Sequence, residues 1–92
     1  MGREVRYKIF SNTTKDKVQK PDRLDLPHDY NSSFTKAYNV RDDEFLTYDE
    51  VCDRIKENTS LLGKEDTLKA IIVYSTILKE MNKSDIVYIS ND

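Results

Sequence analysis

The chain has 92 residues, of which 35% are charged, and its formal net charge is −2 at pH 7. This length suits one domain, residues 1–92, with a single core and no deep, enclosed active-site cavity. A net charge near −2 argues against a dedicated nucleic-acid binder, a class that is usually basic. The single cysteine, Cys52, cannot form an internal disulfide, and with His28 as the one histidine a Cys/His zinc site is excluded.

Targeting and cofactor signals are absent from the sequence pattern. No apolar run approaches the ~20 residues that a membrane-spanning helix needs, and the first residues form no apolar signal region. We therefore expect a cytoplasmic protein that does not enter a membrane. No cofactor motif is present, so we expect no cofactor.

The first predicted element is a strand near the N-terminus. Val5, Tyr7 and Ile9 alternate with Arg6 and Lys8, which is the period-two pattern of a strand with one buried face. The Ser-, Asn- and Thr-rich residues that follow predict a turn.

Residues 15–44 give the weakest pattern, because two prolines interrupt them. Tyr30, Phe34 and Tyr38 fall at i, i+4 and i+8, which fits one face of a helix. Phe34, Tyr38 and Val40 also fit a strand, and this alternative stays open. Such an aromatic row could stack nucleic-acid bases, but we interpret it as part of the core.

A capping box marks the start of the next helix. The Thr47 hydroxyl can accept from the Glu50 amide, while the Glu50 carboxylate can accept from the Thr47 amide. A helix from Tyr48 to about Thr59 is therefore predicted. Gly63 lies where a left-handed helix stop or a linking turn is expected.

The segment Glu65–Met81 predicts the central helix of the fold. Its apolar side chains cover more than half of the helix circumference, which is typical of a helix buried from several sides. In so short a chain this cover would come from a sheet on one side and a second protomer on the other, so we expect a homodimer. A strand over Ile71–Tyr74 is the alternative, because these residues are strand formers, but the length of the pattern favours a helix.

The last predicted element is a strand over Ile86–Ile89. Four consecutive strand formers indicate a strand that is covered on both faces, and its natural partner is the N-terminal strand. The predicted architecture is α+β, with a small sheet that includes the N- and C-terminal strands packed on at least two helices.

Charge is divided unevenly along the chain. Residues 1–40 have eight basic and five acidic side chains, whereas residues 41–92 have seven basic and twelve acidic ones. The acids concentrate around the capped helix, at Asp42, Asp43, Glu44, Asp49, Glu50, Asp53 and Glu57.

One row of these acids stands out on the capped helix. Asp49, Asp53 and Glu57 are spaced by four residues and lie opposite Val51 and Ile55 on the helical wheel. We expect the two apolar residues to face the core and the three carboxylates to face solvent. Successive carboxylates are separated by ~6 Å of helix rise, comparable to the separation of neighbouring phosphates on a nucleic-acid strand.

Two interpretations of the acidic region stay open: a solvated helix face, or a docking surface that steers a basic partner. We hypothesise a non-enzymatic interaction protein that binds a basic partner through these seven acids. Inhibition of a nucleic-acid-handling protein by mimicry of the DNA backbone would then follow. An enzyme is not supported, because the acids look exposed and His28 lacks a nucleophile beside it.

The alternative is a nucleic-acid-binding regulatory protein that uses the basic N-terminal region, comprising Arg3, Arg6, Lys8 and Lys15–Arg23.

Alanine, glycine and proline are scarce, whereas Lys, Asn, Asp, Tyr and Ile are common. In this composition the chain resembles the small early anti-host proteins of AT-rich lytic phages, without a shared motif. The resemblance implies a phage inhibitor of a host protein.

Overall fold

The computed structural model of the chain describes residues 4–21, 32–35, 39–61 and 65–91. Within these ranges the chain forms four strands, two α-helices and one short 3-10 turn. In chain order the elements are β1 (Glu4–Phe10), the 3-10 turn (Lys15–Lys17), β2 (Ser32–Thr35), β3 (Glu44–Thr47), α1 (Tyr48–Thr59), α2 (Glu65–Glu80) and β4 (Ile86–Asn91). The predicted α+β class is confirmed.

The described strands form one antiparallel sheet in the order β2-β1-β4-β3. β1 and β4 lie side by side in its centre, and the predicted pairing of the N- and C-terminal strands is therefore confirmed. β3 was not predicted from the sequence. Phe34 lies in β2, which agrees with the strand alternative, whereas Tyr30 and Tyr38 lie outside the described residues.

Helix α1 begins where the capping box predicts. The Glu50 amide donates to the Thr47 hydroxyl oxygen (3.2 Å), and the Thr47 amide donates to Glu50 Oε1 (2.9 Å). The helix ends at Thr59, so the predicted bounds are confirmed. The expected stop at Gly63 lies outside the described residues.

Both helices cover the same face of the sheet. Val5 and Tyr7 on β1 and Val87 and Ile89 on β4 point to this side, because directly paired residues in an antiparallel sheet share a face. Against them pack buried side chains of α1 and α2, namely Val51, Ala70, Val73, Tyr74 and Ile77. Tyr7 also donates a hydrogen bond to the carboxylate of Glu80 at the end of α2.

Helix α2 is confirmed as a helix, so the strand alternative for Ile71–Tyr74 is wrong. Within the single chain one side of the helix stays exposed, and this is the side for which the sequence pattern predicts a second protomer. Leu68 and Ile72 are 55% and 60% exposed, whereas Val73 and Tyr74 are buried. The sheet and α1 therefore cover one side of α2 and leave an apolar strip open.

The opposite face of the sheet has an aromatic cluster. The ring centroids of Phe45 and Tyr88 are 4.9 Å apart, those of Phe10 and Phe45 are 6.4 Å apart, and the Lys8 ammonium lies 5.7 Å from the Phe10 centroid. Tyr88 is buried, as are both core-facing residues of β4 beside it. The prediction that β4 is covered on both faces is thus confirmed.

Candidate interaction surface on helix α1

The outer face of α1 presents the predicted row of acids. Val51 is fully buried in the core and Ile55 packs against it, which fixes the rotation of the helix. Asp49, Asp53 and Glu57 are consequently exposed, one helical turn apart. Three carboxylates thus form a row on the solvent side, where a partner could reach them.

This face is less acidic than the three carboxylates suggest. Lys56 is also exposed, and on the helical wheel it lies 20° from Asp49. Glu57 lies 3.8 Å from the guanidinium of Arg41, and both side chains are more than half exposed (55% and 63%). The sequence prediction did not take Lys56 into account. Its position three residues after Asp53 already places it on the same face of the helix.

Glu44 does not belong to the open surface, and its inclusion there was wrong. It pairs in the sheet with Ile89, a core residue, so its side chain leaves the sheet on the side covered by helices. There Arg54 donates to Glu44 Oε2 (3.0 Å), and the two side chains are only 16% and 19% exposed. Glu44 Oε1 is buried without a hydrogen-bond partner among the described residues.

Burial and the charges of this ion pair shift the pKa of Arg54 and the pKa of the neighbouring Tyr74. Burial alone would lower the pKa of Arg54, but the hydrogen bond and charge of Glu44 outweigh burial and raise it. Burial raises the pKa of Tyr74, and the adjacent Arg54 opposes that shift only in part. Arg54 therefore keeps its positive charge beside Glu44 within the fold.

Asp42 and Asp43 use their carboxylates to fasten the segment before β3 to the sheet. Asp42 Oδ1 accepts from the Asn91 amide (2.7 Å), and Asp43 Oδ1 accepts from the Tyr88 hydroxyl (2.6 Å). Lys20 also lies 3.1 Å from Asp43 Oδ1. Although both residues are exposed, their acidic groups already have partners within the chain.

Glu50 is likewise engaged within its own chain. It closes the capping box with Thr47, and its Oε1 lies 2.5 Å from the Lys15 ammonium. Partial burial would raise the pKa of the Glu50 carboxyl, but the bonds from Lys15 and Thr47 outweigh it and lower the pKa. The capping motif already indicated a structural role for Glu50, whereas the pairing with Lys15 joins residues far apart in sequence.

The seven predicted acids therefore divide into two groups. Asp49 and Asp53 are exposed with no ion pair to any described residue, and Glu57 has one long, exposed pairing. The remaining acids form hydrogen bonds or ion pairs that hold the fold together, namely Asp42, Asp43, Glu44 and Glu50. We call the row Asp49, Asp53 and Glu57 the acidic row.

The described residues contain neither a group of metal ligands nor a membrane-spanning helix. Among these residues no three or more His, Cys, Asp or Glu side chains group as metal ligands would. Of the described helices, none has both the length and the apolar content to span a bilayer.

Comparison with protein-family models, with curated proteins and with solved structures finds no match to this chain.

Proposed function

We propose that this chain is a non-enzymatic interaction protein that binds a basic partner through the acidic row on α1. The observation that carries the proposal is the exposure of three carboxylates at one-turn intervals on a helix whose rotation is fixed by buried Val51. A rigid helix positions such charges without the entropy cost of ordering a loop on binding. The surface is narrower than the sequence predicts, because four of the seven acids are used within the fold.

The charge of this surface favours a basic partner of regular spacing. The row has an axial repeat of ~6 Å, which a partner with basic groups arranged for a nucleic-acid backbone could match. Complementary charge would raise the association rate and orient the partner, more than it would add to affinity. The proposed consequence is inhibition of a nucleic-acid-handling protein by occupation of its phosphate-binding surface, as the compositional resemblance to phage anti-host proteins also suggests.

The test compares the chain with an isosteric variant of the acidic row, D49N/D53N/E57Q. Both proteins are immobilised and exposed to a host lysate at low ionic strength, and captured proteins are identified by mass spectrometry. We expect a basic protein that the wild type retains and the variant loses. That protein should then be displaced from the immobilised chain by competing DNA, because both ligands would use the same cationic surface.

A matched control separates the row from net charge. The variant S11K/Q19K/N82K makes the same change of +3 at exposed positions away from α1. It should retain the captured protein, and circular dichroism should show both variants folded. Equal capture by the wild type and the row variant, or equal loss by the control, would reject the acidic row as the binding surface.

We further propose that a second copy of the chain covers the apolar strip of α2. Leu68 and Ile72 lie one turn apart and are more than half exposed, and Leu61 is 48% exposed. Apolar side chains in this arrangement are typical of helix-mediated association. Sedimentation at tens of micromolar should show a dimer for the wild type and a monomer for L68Q/I72Q. A monomeric wild type, or a dimer unaffected by the change, would contradict this proposal.

Nucleic-acid binding remains the second candidate, because Lys8 lies over Phe10 on the sheet face opposite the helices. Cationic and aromatic groups together are the elements of single-strand recognition. The basic region is, however, partly neutralised, since Lys15 and Lys20 pair with Glu50 and Asp43. A titration with DNA and RNA at low salt decides this candidate: it requires binding that weakens steeply as salt is added.

A further inference from the structure

A groove of about 510 Å³ opens at one end of the sheet, where β1 ends and where β4 and α1 begin. One wall is the loop that follows β1, and the other is the loop that precedes β4. Its volume falls within the range of small-molecule sites in proteins, ~300–1,000 Å³. None of the acids of the acidic row lines it.

The two walls are held together by a buried carboxylate. Asp85 is only 4% exposed, its Oδ1 accepts from the Asn12 amide (3.0 Å), and its Oδ2 accepts from the Asn82 amide (2.9 Å). The Thr13 amide adds a bond to the Ser84 carbonyl (3.0 Å). Asn12 has φ 48°, a left-handed conformation that asparagine tolerates better than most residues. The groove is thus formed before any ligand arrives.

The groove surface is cationic. Lys15 and Lys17 line it from one wall and Lys83 from the other. Lys15 is paired with Glu50, but Lys17 and Lys83 have no ion pair with any described residue. Asp85 is the acid among the described lining residues, and both of its oxygens are turned to backbone amides. Lys17 and Lys83 therefore line the groove from its two walls, and neither is paired with a described acid.

We propose that this groove binds the phosphate group of a small organic ligand. Lysine ammonium groups bind phosphate as compact point charges, and the threonine and serine residues of the lining, Thr47 and Ser84 among them, bring hydroxyl donors. Ile86 and the lysine methylenes provide apolar contact for the rest of such a molecule. The site is small and bounded by two loops, which fits a single phosphorylated molecule better than an extended strand.

The test is a heteronuclear NMR titration of the full chain with AMP at low ionic strength. Saturable shifts are expected at amides of residues 12–17 and 82–86, with competition by inorganic pyrophosphate. Adenosine, which lacks the phosphate, should leave these amides unmoved. The variant K17Q/K83Q should weaken AMP binding by roughly tenfold, the effect of losing two charge-assisted contacts.

A control variant and a second ligand make the outcome decisive. K56Q/K69Q removes the same charge from exposed helix positions and should bind AMP as the wild type does. Equal weakening by the two variants, equal shifts with adenosine, or no saturation would overturn the proposal. A thymidine oligonucleotide that binds more tightly than AMP and shifts amides of Arg6 and Lys8 would overturn it in favour of nucleic acid. The variant D49N/D53N/E57Q should keep AMP binding, so this site and the acidic row fail independently.

Discussion

Replacing Arg54 with methionine should destabilise the fold by roughly 2–3 kcal/mol, because it leaves the Glu44 carboxylate enclosed without a cation. Methionine retains much of the apolar volume of the arginine stem, so packing losses stay small. The change therefore measures the electrostatic consequence of removing one member of the pair.

The magnitude follows from the burial of the pair. Breaking a fully buried ion pair costs about 3–5 kcal/mol, whereas an exposed pair contributes about 0–1 kcal/mol. Glu44 and Arg54 are 19% and 16% exposed, which places them nearer the buried limit. Glu44 Oε1 already lacks a hydrogen-bond partner among the described residues. Removing Arg54 therefore also takes away the hydrogen bond that Glu44 Oε2 accepts.

Urea unfolding followed by circular dichroism measures this effect in a double-mutant cycle. The variants are R54M, E44L and E44L/R54M, at neutral pH. The double variant should recover most of the stability lost in R54M, since it leaves no unpaired charge behind. The exposed pair Arg41–Glu57 offers the comparison, and R41M should cost less than about 0.5 kcal/mol.

A coupled, buried Glu44–Arg54 pair is refuted if R54M costs no more than R41M, or if the double variant is the least stable of the three. Either result would mean that Glu44 is hydrated and unpaired in solution. Glu44 would then be one of the acids that a basic partner could contact.

Three further predictions concern residues that position loops and helix ends. T47A should lower the free energy of unfolding by about 1 kcal/mol in the same urea assay, because it removes one half of the capping box; unchanged stability would refute the cap. The pKa of Glu50 is lowered in the fold, so its stabilisation is present above its ordinary pKa of 4.5 and is lost as pH falls through the lower folded value. Wild type and E50Q should therefore converge in stability as pH falls below 4.5, and parallel profiles would contradict this. D85A should cost about 2–3 kcal/mol, since the backbone amides of Asn12 and Asn82 lose their buried carboxylate acceptor, and a loss below half of that would show that water replaces it.

Local patterns in the sequence predicted the parts of the fold that depend on neighbouring residues. The alternation at Val5, Tyr7 and Ile9 and the capping box at Thr47 each specify an element over a few positions, and the structure confirms both. β3 was missed although Glu44 and Leu46 are two apart and share a face of that strand. If this spacing had been interpreted as a strand, Glu44 would have been predicted to face the core, as Leu46 does.

The candidate site was harder to predict, because it depends on pairs distant in sequence. Nothing local connects Lys15 with Glu50, or Lys20 with Asp43, yet these contacts decide which acids are open to a partner. Likewise, the apolar pattern of α2 does not say what covers each side of the helix. That is why the sequence could not say that Leu68 lies on the side left exposed by the chain's own sheet and helix α1.

The central position of β1 and β4 also determines when the molecule can assemble. Residues 4–10 find their partners at residues 86–91, after both helices have been made. During synthesis β1 therefore lacks its neighbour in the centre of the sheet until residue 91 has left the ribosome. Pairings so distant in sequence carry a large loop-closure cost and slow the search for the native state. The β1–β4 pairing is thus a late step relative to synthesis of the residues between them, and the nascent chain is open to self-association until it occurs.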